Sequence, residues 1–217
     1  MVTNTAGKPS VGTAALFAYA AGFTGILANL FLIALYVALG LQAGGPEAQT
    51  PSLGPVGELS GSASDLVGSL SAAFMIPVAL VLGGRLPQRR GARLMQAAGL
   101  AAMALLAVGG PLLVLGVLAF EVETPIAMAA WIVLCVWLLL LNRWLRLSDA
   151  LPIRVARLGE VLGAGLLVGY VIVGLGLLLP WMSWPQLVFG VGVLIGLPAY
   201  LGIPIWFVLL GRHLAAS

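Results

Sequence analysis

Long runs of apolar residues alternate with short polar connections along the whole chain. A membrane-spanning helix needs about 20 apolar residues, because each residue adds about 1.5 Å across a hydrocarbon core about 30 Å thick. The chain is therefore predicted to be all-α: a single integral membrane domain over residues 1–217, built as a polytopic bundle of six transmembrane helices. The predicted helices cover residues 13–41, 64–84, 94–119, 126–142, 159–180 and 187–210.

Composition supports a chain whose surface meets lipid. Hydrophobic residues make up 61% of the chain and charged residues 8%, whereas a soluble domain carries about 25% charged residues to cover its surface. The mean hydropathy is +1.13. The lone Cys135 cannot form an intrachain disulfide. The lipid bilayer is thus the expected partner. A nucleic-acid partner is not expected, because the basic residues are distributed among the connections rather than gathered on one soluble face.

The charges divide the connections into two kinds. Alternate connections, together with both terminal segments, contain all ten basic residues and Asp149, with Glu160 at a helix entrance. The other connections contain four acidic residues, with Asp65 at a helix entrance, and no basic residue. Basic residues collect on the cytoplasmic side of membrane proteins, so we predict that both termini are cytoplasmic (N-in/C-in). The basic residues are Lys8, Arg85, Arg89, Arg90, Arg93, Arg143, Arg146, Arg154, Arg157 and Arg212.

Turn-forming residues indicate where two helices begin. The longest outer connection, 42–63, is rich in Pro, Gly and Ser and is predicted to be an exposed, mobile loop. Ser62 with Asp65 three residues later is typical of a capping box at the second helix. Thr124 is predicted to be the N-cap of the fourth helix, with Pro125 as its first residue.

Two features near the connections have simple interpretations. The inner stretch 143–157 alternates arginine with apolar residues and is predicted to lie as a short amphipathic segment in the headgroup region. Glu160 follows Arg157 by three residues, which favours an ion pair within one helix. Glu121 and Glu123 flank a tight outer turn and are expected to be solvated.

Glycines recur at helical spacing in three of the predicted helices. Because lipid tails are as apolar as leucine, membrane helices associate through close packing of small residues. Two glycine stripes on the fifth helix predict that it lies between two neighbours. The residues predicted to pack helices together are Gly22, Gly25, Gly159, Gly163, Gly165, Gly169, Gly192 and Gly196.

Polar residues inside the apolar runs are the candidates for ligand binding, because burying them in lipid is costly. Asn29 lies near the middle of the first helix, where its amide either binds a ligand or hydrogen-bonds to another helix. Asp65 is either a proton- or cation-coupling carboxylate or a helix N-cap. Tyr170 and Tyr200 lie deep in their helices and need hydrogen-bond partners.

Missing residue types argue against several classes of function. The single histidine, His213, lies in the C-terminal tail, so no His-based haem or zinc site is expected within the membrane. Lys8 is the single lysine, which disfavours a Schiff-base cofactor in the core. A Walker loop is absent from the sequence. We therefore expect no catalytic residues, no metal and no cofactor.

Two functional hypotheses follow. The first is a non-enzymatic membrane protein that is a subunit beside another membrane protein, forms a homo-oligomer, or binds lipid-like, apolar molecules. The alternative is a small secondary transporter with a polar site near Asn29. Gly110-Pro111 and the stretch 202–204 lie at comparable depths in the third and sixth helices, as broken helices do in inverted-repeat transporters.

The stretch from Asp65 to Met103 joins an Asp-led apolar helix, the connection GGRLPQRRGARL and an Ala/Leu-rich helix. In this style it resembles the small multi-helix membrane proteins of GC-rich bacteria that are classed as domains of unknown function. The resemblance implies a six-helix protein of the bacterial inner (plasma) membrane. It implies no activity and no site residues.

Overall fold

The computed structural model describes residues 11–43, 54–87, 89–178 and 183–216. Within these ranges the chain forms six α-helices and no strand, and all six are long and apolar enough to cross a membrane. The prediction of an all-helical chain with six such helices is confirmed. The helices are α1 (Val11–Ala43), α2 (Gly54–Gly83), α3 (Arg90–Val114), α4 (Phe120–Leu147), α5 (Ile153–Leu178) and α6 (Ser183–Ala215).

The first correction concerns the predicted loop over 42–63. Helix α2 begins at Gly54, ten residues earlier than predicted, so Asp65 lies inside the helix and forms no capping box with Ser62. Residues 44–53 lie outside the described residues. The early turns of α2 are helical despite their Gly and Ser content because they pack against α1. Gly57 and Ser60 are buried there, and helix packing overrides the weak local propensity.

The start of α4 is also corrected. Its N-cap is Ala119, and the Thr124 hydroxyl donates to the Phe120 carbonyl at 2.8 Å within the first turns. Thr124 and Pro125 therefore lie inside the helix rather than at its start. The extra turn brings Glu123 onto the helix, and this changes its surroundings.

The inner stretch 143–157 is not a separate amphipathic segment. Residues 143–147 continue α4, residues 153–157 begin α5, and a tight turn containing Asp149 at φ 51° joins the two helices. Glu160 pairs with Arg146 of α4 through two contacts of 2.7 and 3.2 Å, not with Arg157. The ion pair thus joins two helices instead of stabilising one.

The six helices form a closed ring. Among the described residues, each helix contacts its neighbours in the chain, and α6 returns to contact α1. Neighbours run antiparallel. A Cβ added at Gly22 of α1 would meet Val208 of α6, for example, whereas one added at Gly211 would meet Ala15. One end of the ring, here called the arginine end, bears the connections 84–89 and 148–152. The other, the acidic end, bears the connection 115–119 and the exposed Glu121.

Large side chains fill the half of the ring nearer the arginine end. The fully buried residues there come mainly from α2, α4 and α6. Close packing of this kind leaves no passage along the axis in that half. The largest of them are Trp137, Trp206, Phe207, Leu82, Leu138, Leu141, Leu145, Leu210 and Leu214.

The glycines predicted to pack helices lie at close approaches between helices. On α5, Gly159 and Gly163 face α4, whereas Gly165 and Gly169 face α6. Gly192 and Gly196 of α6 lie against Gly169, and Gly22 and Gly25 of α1 lie against Pro204 of α6. Two-sided contact of α5 follows from its two glycine stripes, since a side chain on either stripe would hold the neighbouring backbone away.

Candidate binding cavity between the helices

A cavity of about 310 Å³ occupies the half of the ring nearer the acidic end. Among the residues that the structure describes, five helices line it and α5 contributes no lining residue. Toward the arginine end its apolar floor includes Met75, Leu134 and Ile203, beyond which the large buried side chains close the ring. The cavity therefore ends blindly inside the bundle.

Two carboxylates lie on the cavity wall. Asp65 comes from the fourth turn of α2 and Glu123 from the first turn of α4. Both lie beside α3, because Gly109 and Gly110 let that helix approach closely. A Cβ added at Gly110 would lie 2.6 Å from the Asp65 carbonyl oxygen, and one added at Gly109 would lie 3.5 Å from Glu123 Oε1.

Neither carboxylate is neutralised by a neighbouring cation. Among the residues that the structure describes, Asp65 and Glu123 form no ion pair, and no Lys, Arg or His lines the cavity. Asp65 is exposed and Glu123 is half-buried, so both side chains are reachable from the cavity. The field inside is negative, and it favours a ligand that carries positive charge.

Hydroxyl groups add further acceptors. The Ser69 hydroxyl donates to the Leu106 carbonyl at 2.9 Å, and the Ser71 hydroxyl donates to the Ala21 carbonyl at 2.8 Å. The Ser64 and Thr124 hydroxyls likewise donate to carbonyls of their surroundings. Because each hydroxyl already donates its hydrogen to a carbonyl, only its oxygen lone pairs can interact with a ligand. The polar wall accepts hydrogen bonds and offers few donors.

Two aromatic rings also line the cavity. Trp131 of α4 and Tyr200 of α6 pack edge to face, with ring centroids 5.2 Å apart and planes at 61°. Aromatic faces attract cations through their quadrupole, with tryptophan the strongest. A cationic group that enters the cavity can therefore contact both aromatic rings and carboxylates.

The structure brings together two of the four predicted ligand-binding residues. Asp65 and Tyr200 both line the cavity. Asn29 does not line the cavity. It is buried on α1, at a sequence position between the lining residues Gly25 and Leu32. Tyr170 packs against the core from α5, which contributes nothing to the cavity wall.

Glu123 and Trp131 are the cavity residues that the sequence reasoning missed. Glu123 was expected to be solvated at a turn, because α4 was predicted to begin after it. With the helix starting at Phe120, Glu123, Ala127 and Trp131 share one face at spacings of four residues. That periodicity was the available signal, but it is readable only once the helix start is known.

A second polar group is buried away from the cavity. Asn142 of α4 is fully buried, and its Nδ2 donates to the Leu138 carbonyl at 2.8 Å. Within the described part of the chain its Oδ1 has no hydrogen-bond partner. The side chain fills the space that the missing Cβ of Gly159 leaves on α5. Asn142 thus sets the fit between α4 and α5.

Comparisons with protein families, with curated proteins and with solved structures find no match. What the cavity can bind is therefore inferred from its own residues and their geometry.

Proposed function

We propose that this chain is a multipass protein of the bacterial plasma membrane, with both termini in the cytoplasm, that binds a small organic cation in the cavity between its helices. The observation that carries the proposal is the pair of carboxylates, Asp65 and Glu123, which have no ion-pair partner among the described residues and line the same cavity as two aromatic rings. The role is binding rather than catalysis.

The size and the lining of the cavity support a small amphipathic ligand. Ligand pockets hold about 300–1,000 Å³ and combine an apolar wall with a few polar groups, and this cavity has about 310 Å³. Its floor is apolar and its polar groups accept hydrogen bonds. A compound with an ammonium group and a short apolar body satisfies both requirements, with its charge at the carboxylates and its body against Trp131.

The proposal is tested by comparing ligands that differ only in charge. Choline and its neutral isostere 3,3-dimethylbutan-1-ol have the same shape, and phenyltrimethylammonium extends the series to an aromatic body. We expect the purified protein to bind the ammonium compounds and to bind the neutral alcohol at least about tenfold more weakly, a difference of about 1.4 kcal/mol. Isothermal titration calorimetry measures both. Equal affinity for choline and the alcohol, or no binding of either ammonium compound, contradicts the proposal.

Transport of the same cation is the second candidate function. Pro204 of α6 lines the cavity and, because proline has no N–H, the carbonyl four residues earlier loses its helix partner. Interrupted helices at a central site are typical of secondary transporters. For transport, Trp206 and Phe207 would have to move apart to open the arginine end. Uptake of radiolabelled choline into proteoliposomes tests this, and binding without uptake leaves the protein a binder.

A role as a subunit beside another membrane protein, or as a homo-oligomer, is compatible with the same bundle and remains a separate expectation. It does not depend on the cavity. The mass of the particle extracted in a mild detergent distinguishes a lone chain from either assembly.

A further inference from the structure

The outer surface between α3 and α4 carries a second concavity, separate from the central cavity. It has a volume of about 380 Å³. Helix α4 turns Ala127 and Trp131 toward the cavity and Ile126, Ala129 and Val133 toward this groove. From α3 the groove is lined by Ala98, Ala101 and Leu105.

The groove is shaped for a narrow apolar chain. Its described lining consists of Ala, Leu, Ile and Val alone, so it offers a ligand no side-chain hydrogen bond. From Ala98 to Leu105 it follows α3 for about 10 Å. In a bilayer a gap next to a helix loses van der Waals contacts unless a lipid chain or another helix fills it. An acyl chain has the apolar chemistry that this gap requires.

Positive charge lies beyond the end of the groove that is nearer the arginine end. Leu94 is seven residues before Ala101 and on the same face of α3. The exposed Arg90 begins that helix, about 12 Å from Ala98 along the helix axis toward the arginine end. On the antiparallel α4, Arg143 is exposed about 15 Å beyond Val133. Neither α3 nor this end of α4 contains an acidic residue. Along the helix axes, Arg90 and Arg143 therefore both lie beyond the end of the groove that faces the arginine end.

Arginine recognises phosphate well, because its planar guanidinium can donate two parallel hydrogen bonds. Trp144 is next to Arg143, and tryptophan is enriched where membrane helices meet the lipid headgroups. A second copy of the chain fits less well: two copies in the same membrane orientation, joined through this face, would bring their arginine ends side by side, and like charges repel. Charge complementarity selects an anionic lipid.

We propose that the groove between α3 and α4 binds one acyl chain of an anionic phospholipid, with the lipid phosphate at Arg90 and Arg143. The site is independent of the cation cavity. Its occupant would fill the surface that the alanines leave open and anchor α3 to α4 at the arginine end.

The test measures lipid retained by the full chain in native mass spectrometry. The protein is exchanged into detergent with equal amounts of phosphatidylglycerol and phosphatidylcholine that carry the same acyl chains. We expect one phosphatidylglycerol to be retained in preference to phosphatidylcholine, on the order of tenfold, since arginines near the membrane surface attract anionic lipids. Arg90→Gln with Arg143→Gln should bring that ratio close to one. The matched control, Arg154→Gln with Arg212→Gln, changes two exposed arginines of the same end and should leave the ratio unchanged.

A second pair of variants tests the groove itself. Ala101→Phe with Ala129→Phe fills it and should abolish retention of both lipids, whereas Ala104→Phe, exposed on α3 outside the groove, should not. Equal retention of the two lipids by the wild type overturns the proposal, as does retention by the filled variant. A dimer that the filled variant converts to a monomer would show that a second copy occupies the groove instead. If the filled variant does not fold, the arginine pair and its control decide alone.

Discussion

Replacing Gly169 with alanine should separate α5 from α6. A Cβ at this position would lie 2.6 Å from Gly196 Cα, 2.9 Å from Gly196 N and 3.0 Å from Gly192 O. All three atoms belong to the backbone of α6, so no side chain can rotate away. Ordinary contact begins at 3.4 Å, and the helices must therefore move apart by about 0.8 Å at the closest atom.

The cost follows from that separation. A gap of about 0.5–1 Å forfeits a quarter to a half of the dispersion energy of each affected atom pair, and overpacking of a close-fitting site costs about 1–3 kcal/mol. Two control substitutions share the chemistry but not the clash. A Cβ at Gly174 meets nothing within 4 Å, and one at Gly196 meets its nearest atom at 3.4 Å. Alanine at either position gains up to about 1 kcal/mol of helix propensity.

The assay is reversible unfolding in detergent, followed by circular dichroism. We expect Gly169→Ala to lower the free energy of unfolding by about 1–3 kcal/mol, and Gly174→Ala and Gly196→Ala to leave it unchanged or raise it. The contrast between Gly169 and Gly196 is the sharper one, because both glycines belong to the same contact. If Gly169→Ala is as stable as the two controls, α5 and α6 do not approach as described.

Three further predictions concern the bundle. Gly159→Ala should destabilise the bundle by about 1–3 kcal/mol, because the new Cβ meets the Asn142 side chain. Adding Asn142→Ala should recover part of that loss. Additive effects in the double-mutant cycle would argue against the contact. A double-mutant cycle on Arg146 and Glu160, which form an ion pair between α4 and α5, should give a favourable coupling that weakens as the salt concentration rises. A coupling near zero at every salt concentration would argue against the ion pair. The proposed topology can be tested with single cysteines in a Cys135→Ser background, because an impermeant maleimide labels only cysteines outside intact cells. It should label Val117→Cys in intact cells and Ala216→Cys only after permeabilisation. The reverse pattern would show that the orientation is inverted.

The six helices could be predicted because lipid imposes a length of apolar sequence that stands out without tertiary information. Their ends could not. The first turns of α2 contain Gly57 and Ser60, which resemble a loop in composition, yet they are helical because they are buried. Local composition cannot show where a neighbouring helix lies, and burial against that neighbour decides these turns.

The sequence identified part of the candidate site, but not the helix faces that line it. Asp65 and Tyr200 are polar residues within apolar runs, and both line the cavity. Glu123 was missed because its surroundings depend on where α4 begins. Asn29 has the same sequence signal as Asp65 but lies outside the cavity lining. The two neighbours of a helix in the ring determine which of its faces lines the interior. No local sequence pattern predicts the contact between α6 and α1 that closes the ring.

The measurement that tests the central claim most directly is the affinity of phenyltrimethylammonium for wild type, Glu123→Gln and Glu121→Gln. Glu121 is two residues away and exposed outside the cavity lining, so it controls for a general loss of negative charge. A cation about 4 Å from a carboxylate gains about 4 kcal/mol at an effective dielectric constant near 20, and solvent reduces that gain at a half-buried group. We predict a loss of affinity on the order of tenfold, about 1.4 kcal/mol, for Glu123→Gln and no change for Glu121→Gln. Equal affinities of all three proteins would contradict cation binding in the cavity.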